Sequence, residues 1–311
     1  MARIAYVDCS PIMEATLAAL GAPDGLRVQP GDPDPATLRA LLADAQVVLD
    51  GHTAIDAELL AAHPRLRSIV FLGTGASSYV DLEAAARMGV RVRTIRGYGD
   101  RSVAEHAFAL LLAAARGIAR MDRGLRAGAW TQHEGMELAG RTLGILGLGG
   151  IGGEMARIAA AFGMRVVGWS RSGVPAGLPV EAMELDALLE VADAVSLHLP
   201  LSPQTAGILD ATRIARMKPG AILVNTARGA LVDEAALVAA LASGRLGHAA
   251  LDVYAVEPLR PDHPLAAQEN ATLAAHAGWK SAAAARRLLA EALRLAAADA
   301  AAIDAGLPLA P

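Results

Sequence analysis

TLGILGLGGIGGEMARIAAAF, residues Thr142–Phe162, decides how the rest of the chain is read. An apolar strand-like run leads into Gly147-x-Gly149-x-x-Gly152. The residues that follow place Met155, Ile158, Ala159 and Phe162 on one face of a helix. Strand, glycine turn and helix in that order suit a bound pyrophosphate. Gly147 allows the tight turn, Gly149 lets the backbone approach an anion, and Gly152 lets the helix lie close to the sheet. The helix N-terminus adds free N–H groups and the positive end of its dipole.

The next strand, RVVGWS, ends in Ser170-Arg171-Ser172. An NAD site usually carries Asp or Glu there, roughly 20 residues past the loop, for the ribose 2′-OH. Here a guanidinium and two hydroxyls stand instead, suited to a 2′-phosphate through charge-assisted hydrogen bonds. The expectation is NADP(H) preferred over NAD(H).

Outward from the loop, strands and helices alternate in both directions. Downstream come AVSLHLP, AILVNTA, HAALDVY and ATLAAH, with EAALVAALASG closed by Gly244 at a C-cap. With the two strands already read, that makes about six, enough for a doubly wound nucleotide-binding domain. Upstream, Ser102 and Glu105 match a capping box ahead of a helix with an apolar stripe from Val103 to Ala114. The first hundred residues alternate in the same way. IAYVDC is followed by Ser10-Pro11 as a helix start, then LRVQP, a helix opened by Asp34-Pro35, QVVLD, AELLAAH, SIVFLG, DLEAAARMG and VRVRTI. Such alternation predicts a second parallel sheet. After Trp279 the chain reads as one helix, Ser281 to Gly306, expected to return to the first domain. The fold class is α/β, with two doubly wound parallel-sheet domains.

Composition agrees. The chain has 311 residues, about two domains' worth at roughly 150 residues each. Hydrophobic residues make up 54% and aromatics only 3%, so alanine and leucine fill the core. Of 28 basic residues only Lys218 and Lys280 are lysine, leaving 28 − 2 = 26 arginines. The net charge of −4 and the lack of a long basic run argue against nucleic acid as a partner. Cys9 is the sole cysteine, which excludes an internal disulfide and suits a reducing compartment. AFALLLAAA is too short for a bilayer, which needs about 20 residues, and no charged leader precedes an apolar run. A cytoplasmic location is expected, with no membrane partner. No metal-ligand spacing and no GxSxG elbow appear.

Taken in order, several stretches resemble the D-isomer-specific 2-hydroxyacid dehydrogenase family, in particular its glyoxylate/hydroxypyruvate reductase-like members. They are LGTG (Leu72 to Gly75), SVAEHAFALLLA, ELAGRTLGILGLGGIG, HLPLSPQT, RMKPGAILVNTARGALVDEAAL, LDVYAVEP and the His276 segment. The resemblance implies a flavodoxin-like outer domain, residues 1–100 and 281–311, split around a Rossmann cofactor domain at 101–280. It implies hydride transfer between a nicotinamide and a small anionic 2-oxo acid, and a likeness to family members that form homodimers, here with the Ser102 helix and Trp130 as contributors.

Residue roles follow from the same resemblance. His276 becomes the acid/base and Glu257 its partner; a histidine pKa suits protonation of an alkoxide near neutral pH. Arg228 clamps the substrate and stabilises charge developing on its ketone oxygen. Thr74 and Gly75 offer N–H groups to the substrate carboxylate. Around the dinucleotide stand Gly147, Gly149, Gly150, Ile151, Gly152, Ser170, Arg171, Ser172, His198, Pro200, Thr205, Thr226 and Ala227, with Asp252 accepting from the nicotinamide amide. Two departures stand out. The loop from Gly75 to Asp81 is one residue longer than the family pattern, and Gly150 replaces a frequent arginine. A second reading is a dinucleotide-sensing binding protein of corepressor type on the same fold; a third is a formate- or phosphite-type dehydrogenase.

Overall fold

The computed structural model describes residues 3–23 and 25–309. These residues form two compact units, 1–99 with 280–311 and 100–279. Each is built on its own all-parallel sheet.

In the first unit, β1 (Ile4–Cys9), β2 (Leu26–Pro30), β3 (Val47–Asp50), β4 (Ser68–Phe71) and β5 (Arg91–Thr94) lie in the order β2-β1-β3-β4-β5. That is the flavodoxin-like order, with its switch point between β1 and β3. Helices α1 (Pro11–Leu20), α2 (Pro35–Leu42), α3 (Ala57–Ala62) and α4 (Leu82–Arg87) make the crossovers. β1, β3 and β4 are buried along their whole length, as strands covered on both faces must be. Asp34, Asp56 and Asp81 each accept helix N–H bonds at the starts of α2, α3 and α4. Ser10 precedes α1, yet its hydroxyl makes no cap bond; Pro11, whose missing N–H needs no partner at that position, sets the start.

The second unit opens with α5 (Asp100–Ala115) and α6 (Ile118–Arg126). α5 corrects the capping-box reading. It begins at Asp100, so Ser102 lies inside the first turn and not at the cap, and Glu105 pairs with Arg101 at 2.7 Å. Next come β6 (Thr142–Leu146), α7 (Gly150–Ala161), β7 (Arg165–Trp169), β8 (Glu181–Ala182), α8 (Leu185–Val191), β9 (Ala194–Leu197), α9 (Ala211–Arg216), β10 (Ala221–Asn225), α10 (Glu234–Ala242), β11 (Leu246–Leu251) and β12 (Ala271–Leu273). The sheet runs β12-β11-β10-β9-β6-β7-β8, a Rossmann order with a seventh strand beyond the expected six. The addition is β8, two exposed residues paired with Val167 and Gly168 at the sheet edge, too short to leave a periodic signal.

α11 (Ala282–Asp304) then closes the first unit, packing on α1, β3 and β4. Ser281 caps it through Ala284 N–H. Asp299, 1% exposed, accepts from Ser68 Oγ at 2.6 Å and from the Arg93 guanidinium at 2.7 and 2.9 Å. Among the described residues no single helix is long and apolar enough to cross a membrane.

Candidate active site

Three turns at the carboxyl ends of β10, β11 and β12 carry the reacting candidates. Asn225, buried at the end of β10, folds the first of them. Its Nδ2 donates to Arg228 O at 2.9 Å, and its Oδ1 accepts from Ala227 N at 3.0 Å. Arg228 is exposed, and Nη1 donates back to Ala227 O at 2.7 Å. The remaining donors of its planar fork face no partner among the described residues. Gly229 is obligatory here: a Cβ would stand 1.9 Å from Tyr254 C. The Arg228 turn therefore lies directly on the loop that carries Glu257.

Glu257 and His276 are 19 residues apart in sequence but meet in space. His276 Nδ1 is 2.7 Å from Glu257 Oε2, and Tyr254 N–H donates to Glu257 Oε1 at 3.0 Å. The carboxylate thus favours a proton on Nδ1 and leaves Nε2 without a partner among the described residues. Both side chains remain accessible, at 43% and 34%. Glu234, at the start of α10, steadies the same loop by accepting from Ala255 N at 3.2 Å, and it pairs with His263 at 3.0 Å.

His276 has φ 49, the only positive φ outside glycine among the described residues. Asp252, 1% exposed, explains how it is held. Its carbonyl accepts from His276 N, and its carboxylate accepts from Ala277 N and Gly278 N, each at 2.9 Å. His106 Nε2, on α5, lies 3.2 Å from Oδ1. Burial alone would raise the Asp252 pKa, but the His106 contact and the two amides outweigh it and hold the carboxyl below its usual range. Asp252, expected to meet the nicotinamide amide, thus has both oxygens engaged within the fold.

The glycine loop can hold a dinucleotide. Gly147 adopts φ +97, and a Cβ there would come 2.6 Å from His198 O. A Cβ on Gly152 would be 1.9 Å from Gly147 O, so α7 can approach β6 only with glycine at that position. Beside Gly149 nothing lies within 4 Å, the open approach a pyrophosphate needs. Thr226 Oγ1, at the end of β10, is buried without a hydrogen-bond partner among the described residues. These features fit the group. At Gly150 a Cβ would stand 1.7 Å from Asp100 Oδ2, so a side chain there would have to displace that carboxylate. Ile151 is half-buried in the first turn of α7.

Ser170, Arg171 and Ser172 form an exposed turn after β7. The two hydroxyls are 3.3 Å apart, and Arg171 makes no ion pair among the described residues. His198 is enclosed, with Nε2 2.9 Å from Ser196 Oγ; burial pushes its pKa down to about 4, so it is neutral. Thr205 accepts from Ser202 N and donates to Pro200 O, shaping its own loop. Thr74 and Gly75 belong to the other unit, on the loop after β4. Neither N–H has an acceptor among the described residues. A short 3-10 turn at Ala76–Ser78 takes up the extra residue, and Tyr79 stacks on Phe71 with ring centroids 5.7 Å apart.

The model for the D-isomer specific 2-hydroxyacid dehydrogenase NAD binding domain matches residues 108–278. The chain belongs to the D-isomer specific 2-hydroxyacid dehydrogenase family. It is 42% identical to a D-3-phosphoglycerate dehydrogenase from Mycobacterium leprae over 95% of this chain and 58% of that one. It is 43% identical to a glyoxylate reductase from Aeropyrum pernix, covering 72% of this chain and 70% of that one. A solved Thermus thermophilus protein superposes with TM-score 0.84 at 37% identity, over 99% of this chain and 98% of the other. The chain spans little more than half the length of the phosphoglycerate dehydrogenases it matches. Its second unit is the nicotinamide dinucleotide-binding domain of the dehydrogenase family, and its first carries the flavodoxin-like sheet.

Proposed function

We propose that the chain reduces small 2-oxo acids with NADPH in preference to NADH, working reversibly as a D-2-hydroxyacid dehydrogenase. The observation that carries this reading is the His276–Glu257 pair at 2.7 Å, beside a turn that presents the Arg228 guanidinium. Bound NADPH supplies the hydride. Glu257 keeps the Nδ1 proton in place and stabilises the imidazolium, so Nε2 can hand its proton to the oxygen of the former ketone. Arg228 binds the anionic, planar substrate and stabilises charge growing on that oxygen. The N–H groups of Thr74 and Gly75 are proposed donors to the substrate carboxylate. In the oxidative direction His276 Nε2 takes the hydroxyl proton.

The open Arg171 guanidinium between two serine hydroxyls supports the NADPH preference, because no carboxylate in that turn would repel a 2′-phosphate. We further propose a homodimer formed through α5 and α6: α6 buries none of its residues, and Trp130 beyond it is 85% exposed. The proposed setting is the cytoplasm.

The test is an oxidation screen with NADPH and NADH in parallel, over glyoxylate, hydroxypyruvate and other 2-oxo acids. Turnover is expected with the small acids and faster with NADPH at low cofactor. His276→Ala should lower kcat by roughly 10²–10⁴-fold. Tight NADPH binding with no 2-oxo acid turned over would sink the enzyme reading, and a clear NADH preference would sink the cofactor assignment.

A further inference from the structure

We propose that His106, on α5, is a positioning residue for His276 that acts through the Asp252 carboxylate. The inference rests on the functional reading above for the role of His276, but the contacts stand by themselves. Three consecutive amides, those of residues 276, 277 and 278, converge on Asp252, the first on its carbonyl and the others on its two carboxylate oxygens. That convergence holds His276 at φ 49, a left-handed conformation that costs a residue with a side chain about 1–3 kcal/mol unless its surroundings impose it.

The clamp depends on a negative charge at a buried position. A carboxylate removed from water needs compensation beyond two amides, and His106 provides it. Its Nε2 is itself buried and stands 3.2 Å from Oδ1, at ion-pair distance though off the line of a full hydrogen bond, and no other acceptor lies within its reach among the described residues. The packing is tight: a Cβ on Gly278 would fall 3.1 Å from Asp252 Oδ2 and 3.6 Å from His106 Cδ2. The titratable neighbours of Asp252 are His106 on α5, and Tyr254, Glu257 and His276 on the adjoining turns. Of these, only His106 approaches the carboxylate from outside those turns, on a helix whose apolar face is anchored in the core. α5 thus acts as a fixed post. Through Asp252 it sets the turn that points the His276 ring at Glu257.

The discriminating comparison is His106→Leu against His106→Gln. Leucine keeps the bulk and loses the donor, whereas glutamine carries an N–H donor at a similar reach. In 2-oxo acid reduction, His106→Leu should lose about 10–100-fold in kcat, the scale of a displaced reacting group. Its NADPH dissociation constant, measured alongside because Asp252 is itself a nicotinamide candidate, should change less than kcat. His106→Gln should recover most of the lost rate. Independently of activity, the His276 ring followed by 15N NMR should titrate at a different pH in His106→Leu and at the wild-type pH in His106→Gln. Should the leucine variant fail to fold, His106→Asn, whose donor is too short to reach Oδ1, replaces it. Unchanged kcat together with an unchanged His276 titration in the folded donor-less variant would overturn the proposal. A loss that glutamine does not restore would also overturn it. If the wild type turns over no 2-oxo acid, the functional reading fails, and the NMR comparison still decides the role of His106.

Discussion

The two parallel sheets present opposite solutions at their carboxyl ends. At the switch point of the first, Asp8 and Asp50 end β1 and β3 and face each other in the interior, 2% and 0% exposed. Asp8 accepts from the amides of Gly51, His52 and Thr53 and from Thr53 Oγ1, at 2.6–3.0 Å, so the following loop folds down on it. Asp50 is kept protonated, its pKa pushed up to about 8 by burial and then by the neighbouring Asp8 charge. The edge is sealed by its own backbone. In the second sheet the corresponding edge is lined by Gly147, Gly149 and Gly152, with space left beside Gly149 and a buried Thr226 hydroxyl lacking a partner among the described residues. One architecture therefore gives either a site or a seam. At these two places the outcome turns on whether the strand ends carry carboxylates that consume the free amides or glycines that leave them to a ligand; away from its glycine loop the second sheet uses a carboxylate as well, where Asp252 takes up two amides.

Breaking the seam should have the largest effect. Asp8→Leu strands three amides and should destabilise folding by about 3–5 kcal/mol, measured by urea unfolding, the range for removing one partner of a buried charged network. Closing the open edge comes next. Gly152→Ala drives a methyl into Gly147 O and should weaken NADPH binding, followed by fluorescence, by about 1–3 kcal/mol with less loss of stability than Asp8→Leu. A milder change sharpens the chemistry of the open edge. Arg171→Ala should reduce the preference for NADPH over NADH by about tenfold, the value of one charge-assisted contact in a solvent-exposed turn.

The last effect concerns the seam's proton and is read as a slope against pH. Asp50 holds its proton to about pH 8 in the folded chain, well above an unfolded aspartate near 3.9. Between those values the folded state binds more protons than the unfolded one, so its contribution to stability falls as pH rises through the window and levels off above it. Asp50→Asn, neutral at every pH, should flatten that slope. Its gain over wild type should grow steadily between pH 5 and pH 8, at up to about 1.4 kcal/mol per pH unit. Equal gains at both pH values would refute the assignment of that proton to Asp50.

Much of the second sheet was legible because its strands are long and apolar and its glycine loop is punctuated. The two-residue β8 was not, since no period can be read from Glu181–Ala182. The start of α5 was misread because a capping box is a local pattern, and Arg101 competes for Glu105. Arg228, Glu257 and His276 were legible as residues, but their proximity was not, because sequence spacing carries no through-space distance. The Asp8–Asp50 seam left a faint signal, aspartate at the end of two adjacent strands. That signal gains meaning only when the strand order makes them neighbours. Asp252 was legible as a site residue, but the two amides that donate to its carboxylate were not, because they lie 25 and 26 residues away.

The tether between Asp299 and Ser68 has a consequence for how the chain is made. The partners lie 231 residues apart. A ribosome adds about 5–20 residues per second, so β4 emerges roughly 10–50 s before α11 is available to cover it. The intervening dinucleotide domain contains all of its own strands and can finish within that interval. The first unit has to wait, its apolar sheet incompletely covered, until α11 is synthesised. During that wait the nascent protein needs protection, and the protection is needed on the sheet that α11 will cover.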